Sequence, residues 1–151
     1  MCVTPSSDQT CLQLSFPAIE AEASAGIAEL SAGLAHHGLP VEKADDVKIA
    51  LAEAINNVVE HAYSGIEPAK VQVCCRLEHN QLDILISDTG RPLPGCKPPD
   101  GTAASVETSL QDLPEGGFGW YLIHELTSEI RYERRDGCNL LSLRFDVPIP
   151  E

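Results

Sequence analysis

The chain has 151 residues, 43% of them hydrophobic and 22% charged, which is enough for one core and ordinary for a globular protein. Its formal net charge of −13 excludes sequence-independent nucleic-acid binding, which depends on Lys and Arg neutralising phosphates. No apolar run reaches the length of a bilayer span and no basic-then-apolar leader opens the chain, so a single cytoplasmic domain over residues 1–151, acting away from membranes, is expected.

Cys11 to Phe16 alternate between apolar and polar and read as a strand. Ala18 to His37 are rich in Ala, Glu and Leu, stop at Gly38, and read as a helix that Gly26 and Gly33 weaken. Pro40 opens a second helix from Val41 to Tyr63, which ends at Ser64-Gly65. Ala69 to Leu77 and Gln81 to Ser87 read as strands joined through Glu78-His79-Asn80. The stretch from Asp88 to Glu115 is rich in proline and glycine and has no apolar period, the pattern of a lid or a disordered segment. A helical signal returns from Gly116 to about Ser128. Ile130 to Arg134 then pairs through Asp136-Gly137 with Asn139 to Val147. This order predicts an α+β fold, a two-layer sandwich with three helices packed on one face of a mixed, mostly antiparallel sheet. The six cysteines, Cys2, Cys11, Cys74, Cys75, Cys96 and Cys138, form no CxxC pair, and no histidine completes a zinc site. Cys74 and Cys75 point to opposite faces of a strand, and reduced thiols acting as small apolar side chains are expected.

Three segments carry chemistry. In the second helix Val47, Leu51, Ala54, Ile55, Val58 and Ala62 form an apolar stripe, with Glu53, Asn57 and Glu60 opposite and His61 at the border. Such a face is usually just solvated, but Asn56-Asn57 are poor helix formers placed where nothing local requires them. Glu53 and Asn57 lie one helical turn apart. Asp88 follows the alternating Leu82, Ile84 and Ile86 and precedes Thr89-Gly90, which also suits an ordinary turn. Gly116, Gly117 and Gly119 stand at the mouth of an apolar helix, where free N–H groups and the positive dipole end favour a phosphate. A hinge or a close helix packing would also call for those glycines. Phe118, Trp120 and Tyr121 read as core or rim, and His61 as an ordinary helix histidine. Carboxylate, amide, aspartate and glycine-rich helix start are together the parts that hold a nucleotide and its magnesium.

In order and spacing, Glu53-x3-Asn57-x3-His61, Asp88-x-Gly90 and Gly116-Gly117-x-Gly119 resemble the N box and two glycine boxes of the GHKL ATPases, the gyrase, chaperone, histidine-kinase and mismatch-repair superfamily. The chain length and the tail from Tyr132 to Asn139 resemble more narrowly the bacterial anti-sigma-factor serine kinases. The resemblance implies a regulatory serine kinase that binds ATP and Mg2+, holds a sigma factor inactive and phosphorylates a serine of an anti-sigma antagonist protein. It implies Glu53 as general base, Asn57 as the magnesium ligand, Asp88 as acceptor from the adenine amino group, and Gly90 as a point of close approach to adenine. Gly116, Gly117 and Gly119 would face the phosphates, His61 would complete the nucleotide site, and residues 91–115 would form a lid. Thr127 and Asn139 read as structural. A homodimer is implied by resemblance, with an apolar stripe on the first helix as local support. Pro92 replaces a glycine frequent in the first box, and Glu115 stands where some members carry a cation. Those departures keep open an ATP-binding interaction module with little kinase activity. A detached histidine-kinase catalytic domain is a further alternative.

Overall fold

The structure is a computed structural model that describes residues 10–62, 69–78, 80–93 and 117–147. Among the described residues the elements run β1 (Thr10–Pro17), α1 (Glu20–His36), α2 (Val41–Asn57), a π-helical turn (Val58–Ala62), β2 (Lys70–Leu77), β3 (Gln81–Asp88), α3 (Gly117–Leu126), β4 (Glu129–Arg135) and β5 (Cys138–Asp146). The five strands form one sheet in the order β1-β2-β3-β5-β4, and every neighbouring pair is antiparallel. The expected α+β sandwich is therefore present, with a sheet that is antiparallel throughout. The helix expected from Gly116 begins at Gly117; Gly116, Ser64-Gly65, His79 and most of the stretch from Asp88 to Glu115 lie outside the described residues. No helix among the described residues is long and apolar enough to cross a membrane.

Alternation decides which face of the sheet is buried. Val71, Val73, Cys75 and Leu77 of β2, and Leu82, Ile84 and Ile86 of β3, point inward and are buried. Leu141, Leu143 and Phe145 of β5 continue the same layer. The helices cover it with Ile27, Leu30 and Leu34 of α1 and Val47, Leu51 and Ile55 of α2. Gly26, which weakens α1 by propensity, has a tertiary reason: a Cβ there would sit 2.7 Å from the Phe16 ring, so its absence lets α1 lie close to β1. The apolar stripe of α1 is thus used in the molecule's own core and gives no support to a dimer.

The second helix departs from expectation. Regular α-helix stops at Asn57 and the chain widens into the π-helical turn. Asn56 and Asn57 are weak helix formers, and single π turns inside helices, though rare, are frequent at functional sites. At its end the Ala62 carbonyl accepts the Arg91 backbone N–H at 2.7 Å, so a helix-end acceptor is satisfied by the loop after β3.

Candidate functional site

A cavity of about 260 Å³ opens between the helices and the inner face of the sheet. Asn57 and the π turn form one wall, Asp88 and Leu93 another, and Trp120 of α3 a third. Tyr132 and Asn139 close it from β4 and β5. The mixture of apolar wall and few polar groups is that of a small-molecule site.

Asp88 reaches this cavity by simple strand arithmetic. Leu82, Ile84 and Ile86 face inward, so the next residue in phase also faces inward, at the point where β3 ends. Its carboxylate is buried, 5% exposed. One oxygen, Oδ1, accepts the Gly90 backbone N–H at 2.8 Å and the Asn139 Nδ2–H at 2.8 Å. Burial pushes the Asp88 carboxyl above the usual carboxylate range, against the opposing pull of the Asn139 and Gly90 hydrogen bonds and the Arg134 guanidinium.

Asn139, read from sequence as structural, belongs to the site. It stands directly opposite Asp88 in the β3–β5 register and is 5% exposed. Its Nδ2 also donates to the Arg91 carbonyl at 2.8 Å, and its Oδ1 accepts from Arg134 Nη1 at 3.0 Å and from the Tyr132 hydroxyl. Tyr132 Oη in turn accepts the Leu93 N–H at 3.0 Å, and Arg134 Nη1 donates to the Gly90 carbonyl at 2.6 Å. The β4–β5 hairpin therefore clasps residues 90–93 through three side chains. The hairpin itself turns at Asp136 and Gly137, with φ of 51° and 80°, the left-handed pair that a two-residue turn requires. An available signal was phase: Asn139 precedes the apolar Leu141, Leu143 and Phe145 on their own face, and a polar side chain in a core phase must find partners.

Gly90 is buried against the π turn. A Cβ on it would lie 2.5 Å from the Ala62 carbonyl oxygen, so the close approach that demands glycine is to the protein's own backbone. Gly119 is the corresponding case on α3: a Cβ there would sit 2.6 Å from Glu53 Oε2. The acid of the second helix thus points at the glycine-bearing start of the third. Glu53 is partly covered rather than solvated, and Asn57 follows one turn along. Asn57 Nδ2 is buried and has no hydrogen-bond partner. An orphaned amide end at a cavity wall costs stability unless a ligand completes it. The Nδ2–H group can donate to a phosphate oxygen, and the Oδ1 of the same amide can serve a cation.

Gly117 is the first residue of α3, whose opening N–H groups carry the positive end of the helix dipole. His61 lies in the π turn, its side chain outside the described atoms, and Gly116 and Glu115 lie outside the described residues altogether. Thr127 Oγ1 donates to the Ile123 carbonyl at 2.7 Å, a structural role at the end of α3. Among the described residues no group of three His, Cys, Asp or Glu side chains could hold a metal ion unaided. A divalent ion bound here would take Asn57 together with oxygens of a phosphate ligand, the mode magnesium favours.

Residues 16–145 match the family model of the histidine kinase-like ATPase domain. The chain is 30% identical over 137 residues to the serine-protein kinase RsbW of Bacillus thuringiensis, covering 89% of this chain and 84% of that one. It is 29% identical over 123 residues to the RsbW of Oceanobacillus iheyensis, covering 80% and 78%. Among solved structures, the RsbU and RsbW domains of Rv1364c from Mycobacterium tuberculosis superpose with a TM-score of 0.64 at 20% identity, covering 93% of this chain and 34% of that one. The SiaB–SiaC complex from Pseudomonas aeruginosa gives 0.57 at 19% identity, covering 90% and 89%. The two structures share the fold.

Proposed function

Because the chain belongs to the histidine kinase-like ATPase domain family, we propose that it is an ATP-dependent serine kinase and anti-sigma factor, which holds a sigma factor inactive and phosphorylates a serine of an anti-sigma antagonist protein. The observation that carries this reading is the approach of the Glu53 carboxylate to Gly119 at the start of α3, one turn from Asn57 and its unpartnered amide. The relatives named serine-protein kinase support the same activity.

In this reading adenine enters the cavity, and its amino group donates to Asp88, whose Oδ2 is left available once Oδ1 is held by Gly90 and Asn139. Trp120 and Leu93 supply apolar wall. The N–H groups opening α3, with those of Gly116, Gly117 and Gly119, face the phosphates, which a protein of net charge −13 must capture by local donors. His61 completes the nucleotide site. Asn57 would hold Mg2+, which when bound neutralises charge on the β- and γ-phosphates. Glu53 accepts the proton of the substrate serine as its oxygen attacks the γ-phosphorus. The bond from that phosphorus to the bridging oxygen breaks, and the oxygen leaves on ADP.

The phosphate adds about −1.5 to −2 charges to the antagonist, facing an already acidic protein, which favours release. Freed of antagonist, the kinase takes up the sigma factor. A homodimer, implied by family resemblance, would need a surface other than the buried stripe of α1. The test is incubation with labelled ATP and candidate antagonist proteins. Acid-stable label on an antagonist serine is the expected result. Acid-labile label on a histidine, or ATP-dependent binding without transfer, overturns the serine-kinase assignment.

A further inference from the structure

The sheet's outer face, turned away from the helices, carries a side-chain pair that nucleotide chemistry does not use. Cys11 of β1 and Cys74 of β2 bring their Sγ atoms to 3.6 Å. Register explains the meeting: Gln13 lies opposite Cys74 and Cys11 opposite Arg76, so the two cysteines are diagonal neighbours on one face. The right-handed twist of paired strands shortens one of the two diagonals. Cys11 is exposed and Cys74 half-buried, so the pair is open to small molecules. Cys75 is the contrast. It points into the core, where burial, with Cys74 and Cys11 nearby, pushes its thiol up to about 12 and keeps it unreactive. The cysteines among the described residues are reduced, as expected; Cys75 is buried like a small apolar side chain, whereas Cys11 is exposed and Cys74 half-buried.

A disulfide needs its sulfurs at ~2.05 Å, so the observed contact must close by a modest movement. β1 can supply it, because among the described residues β1 is an edge strand with a hydrogen-bonded neighbour on one side only.

We infer that Cys11 and Cys74 form a reversible oxidation site, in which a hydroperoxide converts the pair to a cross-strand disulfide that fastens β1 to β2. The Cys11 thiolate attacks a peroxide oxygen; the O–O bond breaks, and Cys11 becomes a sulfenic acid as water leaves. The Cys74 thiolate attacks that sulfur; the S–O bond breaks, a second water leaves, and the S–S bond forms. Two thiols are oxidised and one hydrogen peroxide is reduced to two waters. A dithiol reverses the step by exchange.

The test uses the full chain with one equivalent of hydrogen peroxide, followed by alkylation and a non-reducing peptide mass map. Free thiols should fall from six to four, and the dominant cross-linked peptide should join Cys11 to Cys74 and disappear with dithiothreitol. Cys11→Ser and Cys74→Ser should each abolish that peptide, while Cys138→Ser keeps it. Backbone amides of Leu12 and Leu14, which face β2 in the register that the Ala18 N–H to Ala69 carbonyl bond continues, should exchange at least ~10-fold more slowly in the oxidised protein, as a fastened edge requires. Six thiols remaining, a dominant link through any other cysteine, a link between two chains, or unchanged exchange in β1 would each overturn the inference. None of these outcomes depends on the kinase reading, which ATP and antagonist test separately.

Discussion

Leu82, Ile84 and Ile86 of β3 stand opposite Phe145, Leu143 and Leu141 of β5, and all six are buried. Two residues further along both strands, the same alternation sets Asp88 opposite Asn139, equally covered from solvent. One half of this ladder is dry and needs only close packing. The other half is polar, and each group in it depends on a specific partner: Gly90, Arg91, Tyr132 or Arg134. The difference teaches that the site is an extension of the core by one more inward position, with hydrogen bonds replacing dispersion. Damage to the dry half should appear as lost folding stability, and damage to the polar half as lost ligand chemistry.

The largest separation is expected from Glu53→Ala, which should lower phosphoryl transfer by roughly 10²–10⁴-fold and leave the ATP-induced rise in melting temperature in place. Transfer at the wild-type rate would remove the base assignment. In the dry half, Ile84→Ala should cost about 2–5 kcal/mol of folding stability, read by urea denaturation, with ATP affinity kept under native conditions. Asp88→Asn should do the reverse. It removes an acceptor from adenine, and a lost hydrogen bond to a charged group is worth about 1.5–3 kcal/mol, roughly ten- to a hundredfold in Kd by calorimetry. Asn139→Ala should fall between the halves, losing about 1–3 kcal/mol of stability because Asp88 and the Arg91 carbonyl lose a buried donor. A pure stability loss with an unaltered preference for ATP over GTP would show that Asn139 does not orient Asp88.

The smallest effect is in pH. The folded Asp88 titrates above its ordinary 3.8, so folding favours the protonated carboxyl. Its stabilising contribution is complete below 3.8 and is lost as pH rises through the raised folded value. Without nucleotide, Asp88→Asn should therefore gain on the wild type in melting temperature as pH climbs from 3.8 through that window. ATP affinity of the wild type should strengthen over the same interval, because the adenine amino group needs the ionised acceptor. Parallel pH curves for the two proteins would contradict the burial of Asp88.

Much of the fold was legible because its signals are local. Period-two alternation marked β1, β2, β3 and β5, and Pro40 and Gly38 bracketed the helix boundary between them. Asn57 stood out as a poor helix former in mid-helix, whereas Glu53 suits an ordinary polar helix face and Asp88 an ordinary turn, and both stood out by the order and spacing they share with the glycine-rich segment. What stayed hidden depends on long-range register or on backbone geometry. The partnership of Asp88 with Asn139 spans 51 residues and exists only once β3 and β5 are aligned. The Cys11–Cys74 contact spans 63 residues and needs the β1–β2 diagonal. Gly119 reads as a phosphate glycine, but its crowding by Glu53 is a packing fact that no local pattern encodes. The π turn after Asn57 leaves no periodic trace, since one widened turn shifts phase without changing composition.

That widened turn also sets a limit on how this sequence can vary. With Gly90 pressed against Ala62 and the Arg91 amide bonded to the same carbonyl, the Val58–Ala62 segment acts as a spacer of fixed length. Deleting one residue there would restore ordinary winding, turn every later side chain of the segment by about 100°, and pull the docking carbonyl away from its loop. Length changes should accordingly be excluded from this short segment even where its side chains are free to differ.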